Sequence, residues 1–442
     1  MRIQLSEHFT YGKLLRFTLP SIVMMIFTSI YGVVDGLFVS NYVGKTPFAA
    51  VNLIFPLLII LGALGFMVGT GGTAIVAKTL GEGDHERANR YFSMMVYVTM
   101  LGGVVLGVLG ILLTPQVSRL LGAEGEMLDN CIVYSRVVLI GLPFFMLQNV
   151  FQSFFVAAEK PKLGLWVTVA AGVTNMVLDA LFVGILGWGI VGAAAATATS
   201  QFVGGMLPVF YFARKNDSLL RLGRTCFYGR ILLRTCANGS SELMSNISAS
   251  VVTMLYNFQL MRFAGEDGVA AYGAIMYVGF IFVAIFIGYA VGSAPVVSFH
   301  YGAGHTDELH SLLWKSVRML AVCGVIMAAT AFALSAPLSQ LFVGYDADLY
   351  AMTVRGFRIH AIHYMIAGFN IYGSSFFTAL NNGGVSAVIS FLRTLVFQCL
   401  SVLILPIFFQ LDGVWFSVLT TELCALCVTI LFLILRQKRY HY

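Results

Sequence analysis

Two stretches of this chain set its fold, GGTAIVAKTLGEGD at 71–84 and GSAPVVSFHYGAGH at 292–305. The second follows the first by 221 residues. At that shift ten of forty aligned positions are identical, among them the glycine pairs Gly71 and Gly292, Gly81 and Gly302, and Gly83 and Gly304. Glycines kept in register indicate turns and close backbone approaches kept in register. The chain is therefore predicted to contain one supersecondary unit twice, with a cleft between the two copies.

The composition places the chain in a lipid bilayer. Of its 442 residues 59% are hydrophobic and 10% are charged, and the mean hydropathy is +0.87, whereas about 25% of the residues of a soluble domain are charged. A hydrocarbon core is crossed by about 20 apolar residues. Such spans are predicted at 12–40, 50–78, 91–113, 128–157, 163–184, 190–213, 231–262, 268–299, 311–334, 350–379, 385–409 and 413–435.

This span count gives the predicted topology. Each half holds six spans, and an even number makes the second copy enter the membrane from the same side as the first, so the repeat is parallel. The predicted fold is thus an all-α polytopic membrane protein with twelve transmembrane helices in two parallel six-helix repeats, related by a pseudo-two-fold axis along the membrane normal.

Positive charge gives the predicted orientation. Twenty of the twenty-six lysines and arginines fall on the side that carries both termini, and Arg393 is counted among them. By the positive-inside rule that side is cytoplasmic, in a multi-pass protein of the cell inner (plasma) membrane. The polar segment 214–230 is the only stretch long enough to link two lobes. The predicted division is an N-lobe at 1–213, a cytoplasmic linker at 214–230 and a C-lobe at 231–442.

No motif points to catalysis. The sequence GTGGT at 69–73 lacks the GK[ST] ending of a phosphate-binding loop, and we find neither HExxH nor a nucleophile elbow. The seven cysteines form no disulfide pattern. The net charge of +6 reflects the loop bias, so we expect no cofactor and no nucleic acid. The expected partners are small-molecule substrates and membrane lipids, with the protein acting as a monomer.

The informative polar residues are the acids that a bilayer should exclude. Of twenty Asp and Glu, four lie more than two residues inside a predicted span, namely Asp35, Asp179, Glu242 and Glu422, and Glu159 lies at the end of one. A charge near the bilayer centre costs about 2.5–3.5 kcal/mol on insertion scales, so it normally faces a protein interior or a wet cavity. A position at the interface or at a helix end is the simpler interpretation of Glu159. For Glu422 this interpretation and a functional one stand equal.

Asp35 and Asp179 are predicted to form a site for a coupling ion. Tyr31 precedes Asp35 by four residues and Asn175 precedes Asp179 by four, so each pair lies on one helical face. Two carboxylates in one buried pocket cannot comfortably both ionise. The pair should therefore hold a proton or recruit a cation.

Neutral oxygens on two further spans extend this predicted site. Asn149 lies in the fourth span and Thr197 in the sixth. If these faces converge, the pocket offers a proton site, or a Na⁺ site built from the oxygens of Asp35, Asn175, Asp179 and Thr197. The alternative is that Asn175 and Thr197 only hydrogen-bond neighbouring helices, as polar residues in membranes often do.

These residues together resemble the multidrug and toxic compound extrusion (MATE) family, and within it the DinF-like, MepA-type branch. The likeness covers essentially the whole chain. Its most specific part is the order of a proline, a tyrosine and an aspartate in the first helix, matched here by Pro20, Tyr31 and Asp35. The family's polar residues of the fourth, fifth and sixth helices are matched by Asn149, by Asn175 with Asp179, and by Thr197.

The resemblance implies a V-shaped secondary active antiporter that exports drugs or metabolites as H⁺ or Na⁺ moves inward. It also implies a mechanical role for Pro20, since a proline removes one backbone hydrogen bond and lets a helix bend. Proton or cation binding at Asp35 and Asp179 would then bias the bent helix against the straight one.

The chain departs from the family in its second half. The NorM-like branch has acids on the seventh and tenth helices. Here the seventh span carries Glu242, but the tenth carries His360, His363 and Asn370 and no acid. A NorM-type cation site is thus in doubt, which favours proton coupling, and Glu242 remains a candidate for contact with a cationic substrate or a protonated histidine. His360 and His363 are expected at the membrane interface.

The substrate can be predicted only by chemical class. Thirty-six phenylalanines and nineteen methionines supply flat or flexible apolar surface, and carboxylates within it favour lipophilic cations. The alternative function is a flippase for a lipid-linked or polyprenyl-linked glycan, since the wider superfamily shares this architecture. A flippase would need a strongly cationic cleft, whereas the predicted intramembrane charges are mainly acidic. A membrane-embedded transferase is disfavoured by the repeat.

Overall fold

A computed structural model of the chain describes residues 3–38, 42–43, 45–344, 346–440 and 442, with the backbone alone described at 33, 35–38, 45, 48 and 49. Within these residues the fold is helical and contains no β-strand. The helices are α1 (Tyr11–Phe38), α2 (Lys45–Gly81), α3 (His85–Leu120), α4 (Gly125–Ile140), α5 (Leu142–Ala157), α6 (Pro161–Asp179), α7 (Gly189–Ala213), α8 (Gly229–Gly302), α9 (Thr306–Val343), α10 (Ala347–Ala361), α11 (Tyr364–Ala379), α12 (Gly383–Phe391) and α13 (Gln398–Tyr440). Two π-helical segments, Ala180–Ile185 and Leu392–Phe397, continue α6 and α12.

Breaks in the helices separate or join the membrane spans. Gly265 (φ 63°) divides α8 into two spans, and Gln410 (φ 50°) divides α13. Helices α4 and α5 meet at a bend of 54° and form one span, and α10 and α11, with Ile362 and His363 between them, form another. Counted over the described residues, the helices make the six spans per half that the sequence predicts. The all-α repeat fold is thereby confirmed.

Special backbone conformations recur at the shift of 221 residues. Gly83 (φ 85°) lies in the turn between α2 and α3, and Gly304 (φ 72°) lies in the turn between α8 and α9. Gly189 (φ 58°) begins α7, and Gln410 interrupts α13 at the corresponding position. Glycine adopts such left-handed conformations at little cost. The glycine register of the sequence therefore records turns that both halves share.

Other glycines bring the first half (α1–α7) into backbone contact with the second half (α8–α13). A Cβ atom built on Gly81 of α2 would lie 2.0 Å from the carbonyl oxygen of Phe299 on α8. Conversely, one built on Gly302 of α8 would lie 2.0 Å from the carbonyl oxygen of Lys78 on α2. Only glycine permits this approach, and each half contributes one glycine of this pair.

The halves meet at the end of the molecule where α1 begins and α13 ends, which we call the terminal face. A Cβ on Gly71 of α2 would lie 2.1 Å from the carbonyl oxygen of Thr235 near the start of α8. The Asn381 side chain donates from the second half to the carbonyl oxygen of Ala74 at 3.3 Å. These contacts between the halves lie on the terminal side.

Residues 3–10 precede α1 and pack across the terminal face. Leu5 and Phe9 are fully buried. The Leu5 N–H donates to Oε1 of Glu159 at the end of α5, at 2.7 Å, and the Phe9 N–H donates to Oε1 of Glu308 in α9, at 3.0 Å. The segment is therefore hydrogen-bonded to both halves. Glu159 lies beyond a helix end, as the sequence predicts.

Candidate functional site

Asn175 and Asp179 lie on the buried face of α6. Their exposed fractions are 2% and 0%. The same face carries Gly172, where an added Cβ would lie 2.5 Å from the Phe27 ring and 3.2 Å from the Tyr31 ring of α1. Among the described residues, Oδ1 of Asn175 has no hydrogen-bond partner. Helix α6 thus presents an acid and an amide oxygen to α1 inside the protein.

The partner predicted for Asp179 falls outside the described side chains. Asp35 lies in α1, and only its backbone is described. The approach of the Asp35 and Asp179 carboxylates therefore stays a prediction. Tyr31, one turn earlier on α1, is partly buried, with its ring centroid 6.0 Å from that of Phe27.

The two neutral members of the predicted site lie on α5 and α7. Asn149 is buried and donates from Nδ2 to the carbonyl oxygen of Gly62 on α2, at 3.1 Å. Thr197 lines a cavity of about 50 Å³ between α2, α4, α5 and α7, and neither Asn175 nor Asp179 lines it. The bond of Asn149 joins α5 to α2. Convergence with the acid face of α6 stays a prediction.

Pro20 lies where α1 touches the second half. It is buried inside α1. A Cβ on Gly288 of α8 would lie 2.4 Å from Cα of Ile22, and one on Gly292 would lie 3.0 Å from Cα of Thr18. Because proline cannot donate the helical backbone hydrogen bond, α1 is weakest between its two contacts with α8. A bend there would change the contact between the halves.

Glu242 lies one turn beyond the backbone contact of the halves. On α8, a Cβ built on Gly239 would lie 1.9 Å from the carbonyl oxygen of Met67, and the Asn238 side chain donates to the carbonyl oxygen of Thr378 at 2.9 Å. Glu242 follows on the same helix, partly buried. The described residues include no ion pair with Glu242. Its contact with a cationic substrate stays a prediction.

The second half contains a buried ion pair. Glu422 of α13 accepts from Arg393 of the π-helical segment at 2.7 Å and 3.0 Å, and the two side chains are 6% and 20% exposed. Asn370 of α11 donates to the second carboxylate oxygen at 2.7 Å and accepts from the Thr429 hydroxyl at 3.1 Å. The charge of Glu422 is thus neutralised by a cation from the same half.

This ion pair corrects two sequence-based interpretations. Arg393 is not a loop charge, because it lies inside a membrane span. Glu422 is neither at an interface nor a helix cap. One feature of the sequence could have indicated this ion pair. Arg393 lies eight residues after the start of the predicted span at 385–409, and the next predicted span contains the acid Glu422. Sequence alone does not tell which faces of those spans meet.

His360 and His363 are buried inside the protein. Their exposed fractions are 6% and 4%, and their ring centroids lie 4.3 Å apart between α10 and α11. A Cβ on Gly279 of α8 would lie 3.8 Å from Nε2 of His360. The histidines are buried because α10 and α11 pack against α8 and α9 within the second half.

Parallel repeats of membrane helices, with acids buried inside them, define a membrane transporter of the repeat-built class. The MatE family model matches this chain twice, at residues 20–181 and 243–404. The chain belongs to the MatE family.

Known proteins resemble this chain over nearly their whole length. The multidrug export protein MepA of Staphylococcus saprophyticus subsp. saprophyticus is 24% identical, over 97% of this chain and 94% of that protein. A MATE structure in complex with MaL6 superposes with a TM-score of 0.93 at 23% identity, covering 98% of each chain. An outward-facing MATE transporter of the MOP superfamily gives a TM-score of 0.92 at 23% identity, covering 98% of this chain and 97% of that one.

Proposed function

We propose that this protein is a secondary active antiporter that exports lipophilic cations in exchange for protons. The observation that carries the proposal is the double contact of α1. Near its middle, α1 packs through Phe27 and Tyr31 on the face of α6 that holds Asn175 and Asp179. Around Pro20, at Thr18 and Ile22, the same helix makes backbone contacts with α8 of the second half. One helix therefore connects the buried acid with the contact that closes the terminal face.

The proposed mechanism uses α1 as the moving element. A proton bound at Asp35 or Asp179 removes a charge from the surface between α1 and α6. The packing of α1 on α6 then favours a different geometry of α1, in which this helix bends at Pro20. Because Thr18 and Ile22 flank Pro20 and touch α8, the bend changes how the halves meet. Access would alternate between the two membrane sides in this way.

The proposed substrate class follows from Glu242. An acid without an ion pair among the described residues, set beyond the contact of the halves, attracts cations, and apolar surroundings favour lipophilic ones. The relatives named multidrug export proteins fit this class. In this proposal the halves act as N-lobe and C-lobe joined by the linker at 214–230, the terminal face is cytoplasmic in the plasma membrane, and the closed terminal face is the outward-facing state of a monomer.

Protons are the proposed coupling ion. In the second half, the tenth span carries Asn370 and no acid, unlike that of the NorM-like branch, and Glu422 is already held by Arg393. A sodium site needs about six oxygen ligands, while a proton needs one carboxylate. A flippase for glycan lipids is not favoured, because Arg393 is neutralised by Glu422 and so does not provide a cationic cleft.

The test is transport by purified protein in lipid vesicles, with the lipophilic cation ethidium as substrate. A pH gradient and a sodium gradient are imposed one at a time. We expect Asp179→Asn to abolish proton-driven ethidium transport without lowering the melting temperature, because it removes the titratable charge at nearly constant volume. The matched control Asp307→Asn changes an exposed acid at the start of α9 and should transport normally.

Two results would contradict the proposal. Full proton-driven transport by Asp179→Asn would exclude this acid from coupling. Transport that follows a sodium gradient at clamped pH, and ignores a proton gradient, would replace the proton with Na⁺. The oxygens of Asp35, Asn175, Asp179 and Thr197 would then be the ligands to test.

A further inference from the structure

The first half is closed on its terminal side by a cluster of phenylalanines. Phe92 of α3, Phe151 of α5 and Phe212 of α7 are at most 1% exposed. The Phe92 and Phe212 ring centroids lie 5.1 Å apart, and Phe151 stacks on Phe212 at 5.6 Å. Three rings at such distances fill the space between the three helices.

The same positions of the second half line an open groove. The residues 221 positions later are Leu313 of α9, Tyr372 of α11 and Leu433 of α13. All three line a cavity of about 410 Å³ between these helices. Two rings of the first half are thus replaced by smaller leucine side chains. In the first half, side chains of the protein fill the equivalent space. The groove therefore results from the smaller side chains of the second half and not from a different arrangement of the helices.

The groove opens toward the lipid. Its rim includes Trp314, Ile430 and Ile434, which are 50%, 46% and 65% exposed. Its volume lies within the range of about 300–1,000 Å³ that is usual for small-molecule sites. The walls are almost entirely apolar and belong to membrane spans. An occupant must therefore be a hydrocarbon group that reaches the groove from the bilayer.

The end of α13 beside the groove is rich in positive charge. Arg436, Lys438 and Arg439 lie there next to Gln437, which lines the groove. None of the three cations has an ion pair among the described residues, and the sequence from 423 to 442 contains no acid. Clusters of this kind, next to the end of a membrane helix, attract anionic lipid headgroups.

We propose that this groove binds one acyl chain of an anionic phospholipid, with the headgroup held by the last turn of α13. The acyl chain lies against Leu313, Tyr372 and Leu433, at the positions that correspond to the three phenylalanines of the first half. It also contacts Thr429, which lines the groove and donates to Asn370 of the buried polar network. The bound lipid thus completes the core of the second half beside that network. The site is independent of the transported ion and substrate.

Native mass spectrometry of the purified full chain tests the site. The protein is exchanged into nanodiscs of phosphatidylglycerol or of phosphatidylcholine, released and progressively delipidated. The wild type should retain one phosphatidylglycerol after the other lipids are lost. The variant Leu313→Phe with Leu433→Phe recreates two rings of the first half and should retain about tenfold less, which corresponds to about 1.4 kcal/mol. Its melting temperature should equal or exceed that of the delipidated wild type.

Two further variants distinguish binding of the acyl chain from binding of the headgroup. Val104→Phe with Val108→Phe adds the same rings on a lipid-exposed surface of α3 and should keep the bound lipid. Replacement of Arg436, Lys438 and Arg439 by glutamine should remove the preference for phosphatidylglycerol over phosphatidylcholine. The proposal is overturned if the groove-filling variant retains as much lipid as the wild type, if the wild type does not distinguish the two lipids, or if added ethidium displaces the lipid and occupies the groove.

Discussion

The polar centres of the two halves occupy corresponding positions but carry different charges. In the first half, Asn149 donates to a backbone carbonyl, and Gln201 lines a small cavity nearby. The residues 221 positions later are Asn370 and Glu422, and here the amide donates to a carboxylate that Arg393 neutralises. The backbone repeats, whereas the ionisation of the site does not.

This difference in charge is consistent with different roles for the two halves. The second half holds the Glu422 carboxylate with an internal arginine, so this acid is not available to an incoming ion. In the first half, the stretches 17–38, 163–179 and 189–213 contain no lysine or arginine, and yet Asp179 is fully buried. In the proposed function, the first half carries ion coupling and the second half provides a rigid framework.

The largest expected effect comes from breaking the ion pair. Arg393→Met should lower the free energy of unfolding by about 3–5 kcal/mol, because it leaves the buried carboxylate of Glu422 without its cation. The measurement is thermal unfolding of purified protein in detergent, followed by intrinsic fluorescence. Arg393→Met combined with Glu422→Gln should recover most of the loss, since both charges are removed and the glutamine matches Gln201 of the first half. A wild-type melting temperature for Arg393→Met would show that the pair is not stabilising.

The sequence predicts the repeat and the spans because these depend on properties that act along the chain. Hydropathy and span length fix where the helices cross the membrane, and the glycine register fixes turns such as those at Gly83 and Gly304. The contact of Arg393 with Glu422 depends instead on which faces of two helices meet, and a π-helical turn rotates Arg393 in a way that a regular period does not predict. The burial of His360 escapes prediction for the same reason.

Substitutions of the contact glycines test a feature of the structure that both halves share. Gly81→Ala and Gly302→Ala each place a Cβ about 2.0 Å from a backbone carbonyl oxygen of the other half. Each should weaken closure of the terminal face by about 1–3 kcal/mol, and the two effects should be equal because the contacts are equivalent. Spin labels at Glu86→Cys and Asp307→Cys, in a background without native cysteines, report the separation of the halves by pulsed electron spin resonance.

A matched glycine provides the control for these substitutions. A Cβ on Gly102 of α3 would meet no atom within 4 Å, so Gly102→Ala should leave the distance distribution unchanged. An effect of Gly81→Ala alone would mean that the two contacts are not equivalent and that closure depends on the first half. No effect of either variant would mean that the glycines do not control closure.

The smallest expected effect concerns Glu308 at the terminal face, a position at which the two halves carry opposite charges. The residue 221 positions earlier is Arg87, while Glu308 binds the N-terminal segment through the Phe9 N–H and the His8 ring. Burial by itself would raise the pKa of Glu308, but the Phe9 N–H and His8 outweigh it and hold the pKa below its usual value. The carboxylate therefore stabilises the fold above the unfolded pKa, about 4.3, and this contribution is lost as the pH falls through the lower, folded pKa.

Glu308→Gln should accordingly lower the free energy of unfolding by about 1–2 kcal/mol at pH 7, since a neutral amide accepts these hydrogen bonds less strongly than a carboxylate. Melting temperatures of the wild type and the variant, measured between pH 7 and pH 3, should differ by a constant amount down to about pH 4.3 and then converge. Asp307→Asn, the neighbouring exposed acid, should melt like the wild type throughout. A difference that persists below the folded pKa would show that Glu308→Gln acts through packing and not through the charge that anchors the N-terminal segment.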